Sequence, residues 1–112
     1  LDRDDLVVDH VNCQLDIKNL QGRSIRTDIL AHDSKNVIYN IEVQNDDAGA
    51  DPKRARYNSS LLDANITEAG DKYSQLKETY IIFITKNDVL GNGLPIYHID
   101  RMIKETGEKF NM

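Results

Sequence analysis

The clearest periodic signal in the chain is "VIYNIEVQ", residues 37–44, where Val37, Tyr39, Ile41 and Val43 alternate with Ile38, Asn40, Glu42 and Gln44. A repeat of two is that of a strand with one apolar and one polar face. The segment before it, "SIRTDILA" at 24–31, sets Ile25, Ile29 and Ala31 against Ser24, Arg26 and Asp28 and predicts another strand. The "HDSKN" between them has turn composition, so the two strands form an antiparallel hairpin. Upstream, residues 6–18 alternate partially at Val11, Cys13, Leu15 and Ile17 and predict a first strand, followed by a turn at "NLQGR" with Gly22 as the breaker.

A change of period follows. Asp51 is suited to cap a helix, Pro52 to open it, and Leu61, Leu62 and Ile66 give it an apolar side before "TEAGDK" ends it. "TYIIFIT", 79–85, is a continuous apolar run of strand length, suited to the middle of a sheet covered on both faces. "KNDVLGNGLP" reads as a loop, "IYHIDRMI" as a fifth strand or strand edge, and "KETGE" as a polar turn. The order β-β-β-α-β-β is that of one mixed α/β domain spanning 1–112, a size that supports one modest core.

Composition narrows this picture. Hydrophobic residues at 39% and charged residues at 29% describe a globular chain. No apolar run reaches the ~20 residues of a membrane span, and no signal-peptide pattern opens the chain. With a single cysteine, an internal disulfide is excluded and a cytoplasmic location is the natural expectation. Leu1 at the start and an unclosed pattern around Phe110 suggest a fragment truncated at both ends. The net charge of −5 argues against broad electrostatic binding of nucleic acid, yet fits a site that needs a divalent cation to hold phosphate.

The chemistry concentrates on the hairpin. A turn near 33–36 sets Asp28 and Glu42 roughly opposite each other, where β-carbons are about 4.5–5.5 Å apart. Two carboxylates at that distance repel, a conflict relieved by a proton or by a cation between them. Oxygen donors without neighbouring His or Cys favour Mg²⁺ or Mn²⁺. Gln44 shares that face and can orient a water or hold a phosphate oxygen, but carries no charge. The plain alternative is a solvated hairpin face, the commoner origin of such polar residues.

"SIRTDILAHDSKNVIYNIEVQ" resembles the core motif of the PD-(D/E)XK nuclease superfamily, an acidic residue on one strand and E-x-K or E-x-Q on the next. With "RARY", "FITKND" and "PIYHI" following in order, the chain is similar to the bacterial PD-(D/E)XK family transposases, related to recombination-promoting nucleases, from about residue 22 onward. The resemblance implies a restriction-endonuclease-like core, a mixed sheet opened by an antiparallel hairpin and flanked by helices. It implies metal-dependent cleavage of DNA in transposition or recombination, with Asp28 and Glu42 as ligands of Mg²⁺ or Mn²⁺. Gln44 stands where most of the superfamily has its catalytic lysine, and Arg54 or Arg56 is then the nearest source of positive charge. The acidic residue that often precedes the first strand has only Asp2, Asp4 and Asp5 as positional counterparts.

Other residues carry weaker signals. Lys53, Arg54 and Arg56 crowd a helix start, where the dipole favours an anion, and suit either a DNA phosphate or a solvated face. Tyr57 suits a base stack or, by preference, the core. His10, His32 and His98 lack ligand spacing, Cys13 reads as core, and Asp46 and Asp47 read as turn residues or extra ligands. "GNGLP" lacks the lysine and hydroxyl of a phosphate loop. Three functions compete: a DNA endonuclease, an inactive nuclease-like domain that binds DNA or protein, and a purely structural domain. The partners expected are DNA and no membrane, with a homo-oligomer left open.

Overall fold

The computed structural model describes residues 4–19, 22–44 and 51–112; side chains of 12–19 and 22–27 lie outside that description. Four strands, β1 (Val7–Asn19), β2 (Gly22–His32), β3 (Ile38–Gln44) and β4 (Thr79–Thr85), form one sheet in chain order. Helix α1 (Pro52–Ile66) joins β3 to β4, and a 3₁₀ turn at Tyr73–Gln75 precedes β4. The pairs β1–β2 and β2–β3 are antiparallel, whereas β3–β4 is parallel. A parallel pair needs a crossover, which α1 provides.

The β2–β3 turn is built around one buried aspartate. Asp33 is 1% exposed, and its Oδ1 accepts from the backbone of Lys35 (2.9 Å) and Val37 (3.0 Å) while its Oδ2 accepts from Tyr39 Oη at 3.1 Å. Asn36 takes the left-handed conformation that completes the turn (φ 61°). Asp5 braces it from outside, its Oδ2 accepting from Ser34 N (3.0 Å) and Oγ (2.7 Å). This turn fixes the ladder register that follows, with Asp28 opposite Glu42 and Leu30 opposite Asn40.

Helix α1 begins as its sequence predicts. Asp51 is extended (φ −85°, ψ 130°), its carboxylate accepts from Lys53 N at 2.8 Å, and Pro52 occupies the first turn, where a missing N–H costs nothing. The helix closes at Thr67, whose hydroxyl donates to the Asp63 carbonyl at 2.8 Å.

Four expectations change. Gly22 begins β2, paired with Asn19, rather than breaking the chain. The β4 strand lies at the edge of the described sheet, half-buried rather than covered on both faces. Residues 96–103 form no strand; the segment's only bridge joins Met102 to Lys109 around the Gly107 turn, and Ile96, Ile99 and Met102 stay exposed. Alternation there describes a strand-like surface, but a strand also needs a ladder partner, and the described residues supply none. Last, the apolar face of β3 is not simply the inner one: Tyr39 is buried against Tyr80, centroids 5.5 Å apart, yet Val43 is 37% exposed. The polar face is the one that α1 covers.

Candidate functional site

The sheet presents its functional positions in rows. His10, Leu30 and Asn40 are register partners across β1, β2 and β3, and Asn12, Asp28 and Glu42 form the next row. The β1–β2 register shifts between Val8 and His10. Such a bulge reverses the alternation, and so returns His10 to the face of Leu30 and Asn40. Above these rows, α1 presents Arg54, Asn58, Leu61, Leu62 and Asn65, spaced three or four apart along one stripe. Between helix and sheet lies a cleft of about 250 Å³ lined by His10, Asp28, Asn40, Glu42, Asn58 and Leu62, among others.

Glu42 is the most heavily engaged side chain in the cleft. Its Oε1 accepts from Asn58 Nδ2 at 2.7 Å, and its Oε2 accepts from Gln44 Nε2 at 2.9 Å and faces Arg54 Nε at 3.3 Å. Glu42 is 3% exposed and Gln44 5%, so the solvated-face alternative fails. The charge conflict with Asp28 is eased on this side by a guanidinium from α1, a partner the hairpin alone does not reveal.

Asp28 is held differently. Its Oδ1 is buried without a hydrogen-bond partner among the described residues, and so is Oδ1 of Asn40, one row away. Buried polar oxygens normally find a donor, because removal from water without one costs about 1–3 kcal/mol. Two acceptor oxygens on residues that line one cleft, beside the Glu42 carboxylate, are donor chemistry of the kind a cation would take. The donor set is oxygen-rich, which suits a hard divalent ion. Among the described residues no three His, Cys, Asp or Glu side chains converge as ligands, so the residues fit an ion held by two carboxylates with water or substrate oxygens completing its shell.

The remaining sequence-derived residues separate. Arg54 folds onto Glu42, whereas Lys53 and Arg56 are exposed at the first turns of α1. Tyr57 is 65% exposed, so the preferred core reading is wrong: α1 turns its 54–58–62 stripe inward and leaves Tyr57 on the outer side. Asp5 is spent on the hairpin turn, Asp4 is exposed, and Asp2, Asp46 and Asp47 lie outside the described residues, as does the Cys13 side chain. His32 Nδ1 lies 2.8 Å from an Asp9 carboxylate oxygen, away from the cleft lining. Sequence reasoning missed Asn40, Asn58 and His10. Asn40 was legible as a polar residue on the Glu42 face of its strand, and Asn58 as the residue one turn after Arg54 on α1; His10 depends on a bulge that alternation cannot forecast.

The glycine loop also has a defined task. Asp88 accepts from Gly91 N (2.9 Å), Gly93 N (2.7 Å) and Tyr97 Oη (2.7 Å), so those backbone donors are turned to an internal carboxylate. The Tyr97 hydroxyl, helped by the loop amides, holds the Asp88 carboxyl below its ordinary value of 3.8.

The model of the PD-(D/E)XK nuclease family transposases matches the chain over residues 7–112. No curated protein and no solved structure matches the chain. No helix of the described residues is long and apolar enough to cross a membrane.

Proposed function

As the chain belongs to the PD-(D/E)XK nuclease family transposases, we propose that its cleft is the centre of a metal-dependent DNA endonuclease acting in transposition or recombination. The observation that carries this reading is the buried Oδ1 of Asp28, without a hydrogen-bond partner among the described residues and directly across the ladder from Glu42. An acceptor left without a donor is poorly satisfied in the free protein and well satisfied by a cation.

Asp28 and Glu42 would hold Mg²⁺ or Mn²⁺, which when bound supplies Lewis-acid stabilisation of phosphate charge and lowers the pKa of a coordinated water. Gln44, hydrogen-bonded to Glu42, keeps that carboxylate aimed into the cleft and has a carbonyl oxygen that can orient the attacking water. Arg54 replaces in space the positive charge that Gln44 lacks, since its Nε already reaches the Glu42 oxygen that Gln44 contacts. Lys53 and Arg56, exposed beside the helix start, would grip neighbouring phosphates, and exposed Tyr57 would stack on a base. The products of hydrolysis are a 5′- and a 3′-ended strand, one of which retains the phosphate. The cytoplasm is the compartment we assign to it.

A second reading, a nuclease-like domain that binds DNA without cutting it, draws on one observation. The Arg54–Glu42 pair already neutralises one carboxylate, a charge balance that holds without any cation. Nicking of supercoiled plasmid with Mg²⁺ or Mn²⁺, by the protein and by an Asp28→Ala, Glu42→Ala variant, separates the two. The endonuclease reading requires nicking by the parent alone; DNA binding by both without nicking supports the second reading, and equal nicking removes the assigned site.

A further inference from the structure

Asn40 lines the cleft beside the carboxylate pair without contacting either carboxylate among the described residues. It sits two residues before Glu42 on the same strand face, opposite Leu30 and therefore diagonal to Asp28. Diagonal neighbours in an antiparallel ladder are about 7–8 Å apart at Cα, close enough for side chains leaning together to share one small ligand. Its Oδ1 is buried with no hydrogen-bond partner among the described residues, the same condition as Oδ1 of Asp28, and both residues line the same cleft. An amide buried for packing alone would pair its oxygen with an N–H.

Building on the metal-dependent reading above, we propose that Asn40 Oδ1 is a third protein oxygen ligand of the cation held by Asp28 and Glu42. Charge and geometry both favour this assignment. Two carboxylates balance a divalent ion, and an amide oxygen adds a ligand without adding a third negative charge to a cleft covered by α1. Amide carbonyls are established ligands of hard cations, whereas the imidazole of His10, exposed at the rim of the cleft, would favour softer metals. Glu42 needs the help, because its Oε2 is shared between Gln44 and Arg54. Asn40 thereby sets which cations the site accepts: three fixed oxygens on one sheet face demand a hard ion.

Isothermal titration of Mn²⁺ into the intact protein tests this, alongside Asn40→Ala, Asn40→Asp and Asp28→Ala, with circular dichroism confirming that each is folded. The expected pattern is a Kd raised about tenfold or more in Asn40→Ala, by analogy with losses at metal-supporting residues. Asn40→Asp keeps an oxygen at the same position and restores binding to the parent level or tighter. Unchanged Mn²⁺ affinity in Asn40→Ala, with binding lost in Asp28→Ala, overturns the role of Asn40 and leaves the metal site standing. Asn40→Asp binding more weakly than Asn40→Ala also overturns it, since a carboxylate oxygen in contact with the cation would strengthen its binding. Absence of Mn²⁺ binding by the parent overturns this assignment and the metal reading together.

Discussion

Arg54 Nε stands 3.3 Å from Glu42 Oε2, so the carboxylate at the centre of the cleft is matched by a positive charge delivered from α1. The pair links the crossover helix to the strand that carries the motif, and Asn58, one turn along, adds a 2.7 Å hydrogen bond to the other oxygen of Glu42. Helix position and site electrostatics are therefore one property. A change in either is felt in both.

Removing Arg54 separates these effects. Arg54→Ala leaves Glu42 buried with only amide donors among the described residues, and stranding a buried carboxylate without its ion-pair partner costs about 3 kcal/mol. Urea denaturation is expected to show a loss of that size. Mn²⁺ affinity is expected to rise in the same variant, because a competing positive charge has gone. Plasmid nicking should nonetheless fall, as no other cation touches Glu42 among the described residues.

Gln44 offers a complementary test. Gln44→Leu removes the 2.9 Å bond to Glu42 while preserving bulk, and is expected to lower nicking about tenfold or more with folding retained. Gln44→Lys restores a charged donor at the same position and is expected to nick at least as fast as the parent. Measured rates at saturating Mg²⁺ check both.

The hairpin turn should act at a distance. Asp33→Ala leaves the N–H groups of Lys35 and Val37 and the Tyr39 hydroxyl without their acceptor, in a turn where Asp33 is almost wholly buried. Each such loss costs about 1 kcal/mol or more. A destabilisation of about 3 kcal/mol is expected in urea melts, and nicking should fall with it, because this turn sets the Asp28–Glu42 register.

Acid should loosen the glycine loop before it unfolds the sheet. The folded-state pKa of Asp88 is lowered, chiefly by the Tyr97 hydroxyl, so its contribution is fully present above the unfolded value near 3.8 and disappears as pH falls through the folded value. Amide exchange at Gly91 and Gly93 is expected to accelerate, relative to intrinsic rates, as pH is lowered through that range. Asp88→Asn should show the faster exchange already at neutral pH.

The sequence carried the hairpin and the helix start because both are local. Alternation in β2 and β3 with a short polar turn left little freedom in pairing, and Asp51–Pro52 is a self-contained capping signal. Burial of the polar face was hidden because α1 meets it with polar residues of its own: Arg54 and Asn58 contact Glu42 from the same stripe as Leu61 and Leu62, whose apolar signal announces a buried helix side and not that a polar strand face lies beneath it. Residues 96–103 mislead in the opposite sense, since Ile96, Ile99 and Met102 advertise a strand while the partner that would make one is not encoded in the segment. His10 lay beyond reach for a third reason, because one bulge inverts the face on which every residue before it lies.

In the proposed function, Asp28, facing Glu42 across the ladder, makes this cleft a metal-dependent nuclease centre. The most direct test of that reading is the rate of Mn²⁺-dependent plasmid nicking by Asp28→Asn, which keeps the size of the side chain and removes its charge. The expected rate is at least about a hundredfold below the parent, the scale on which catalytic machinery acts, with the melting temperature in the absence of metal unchanged or raised. Nicking at the parental rate by a folded Asp28→Asn protein would contradict it.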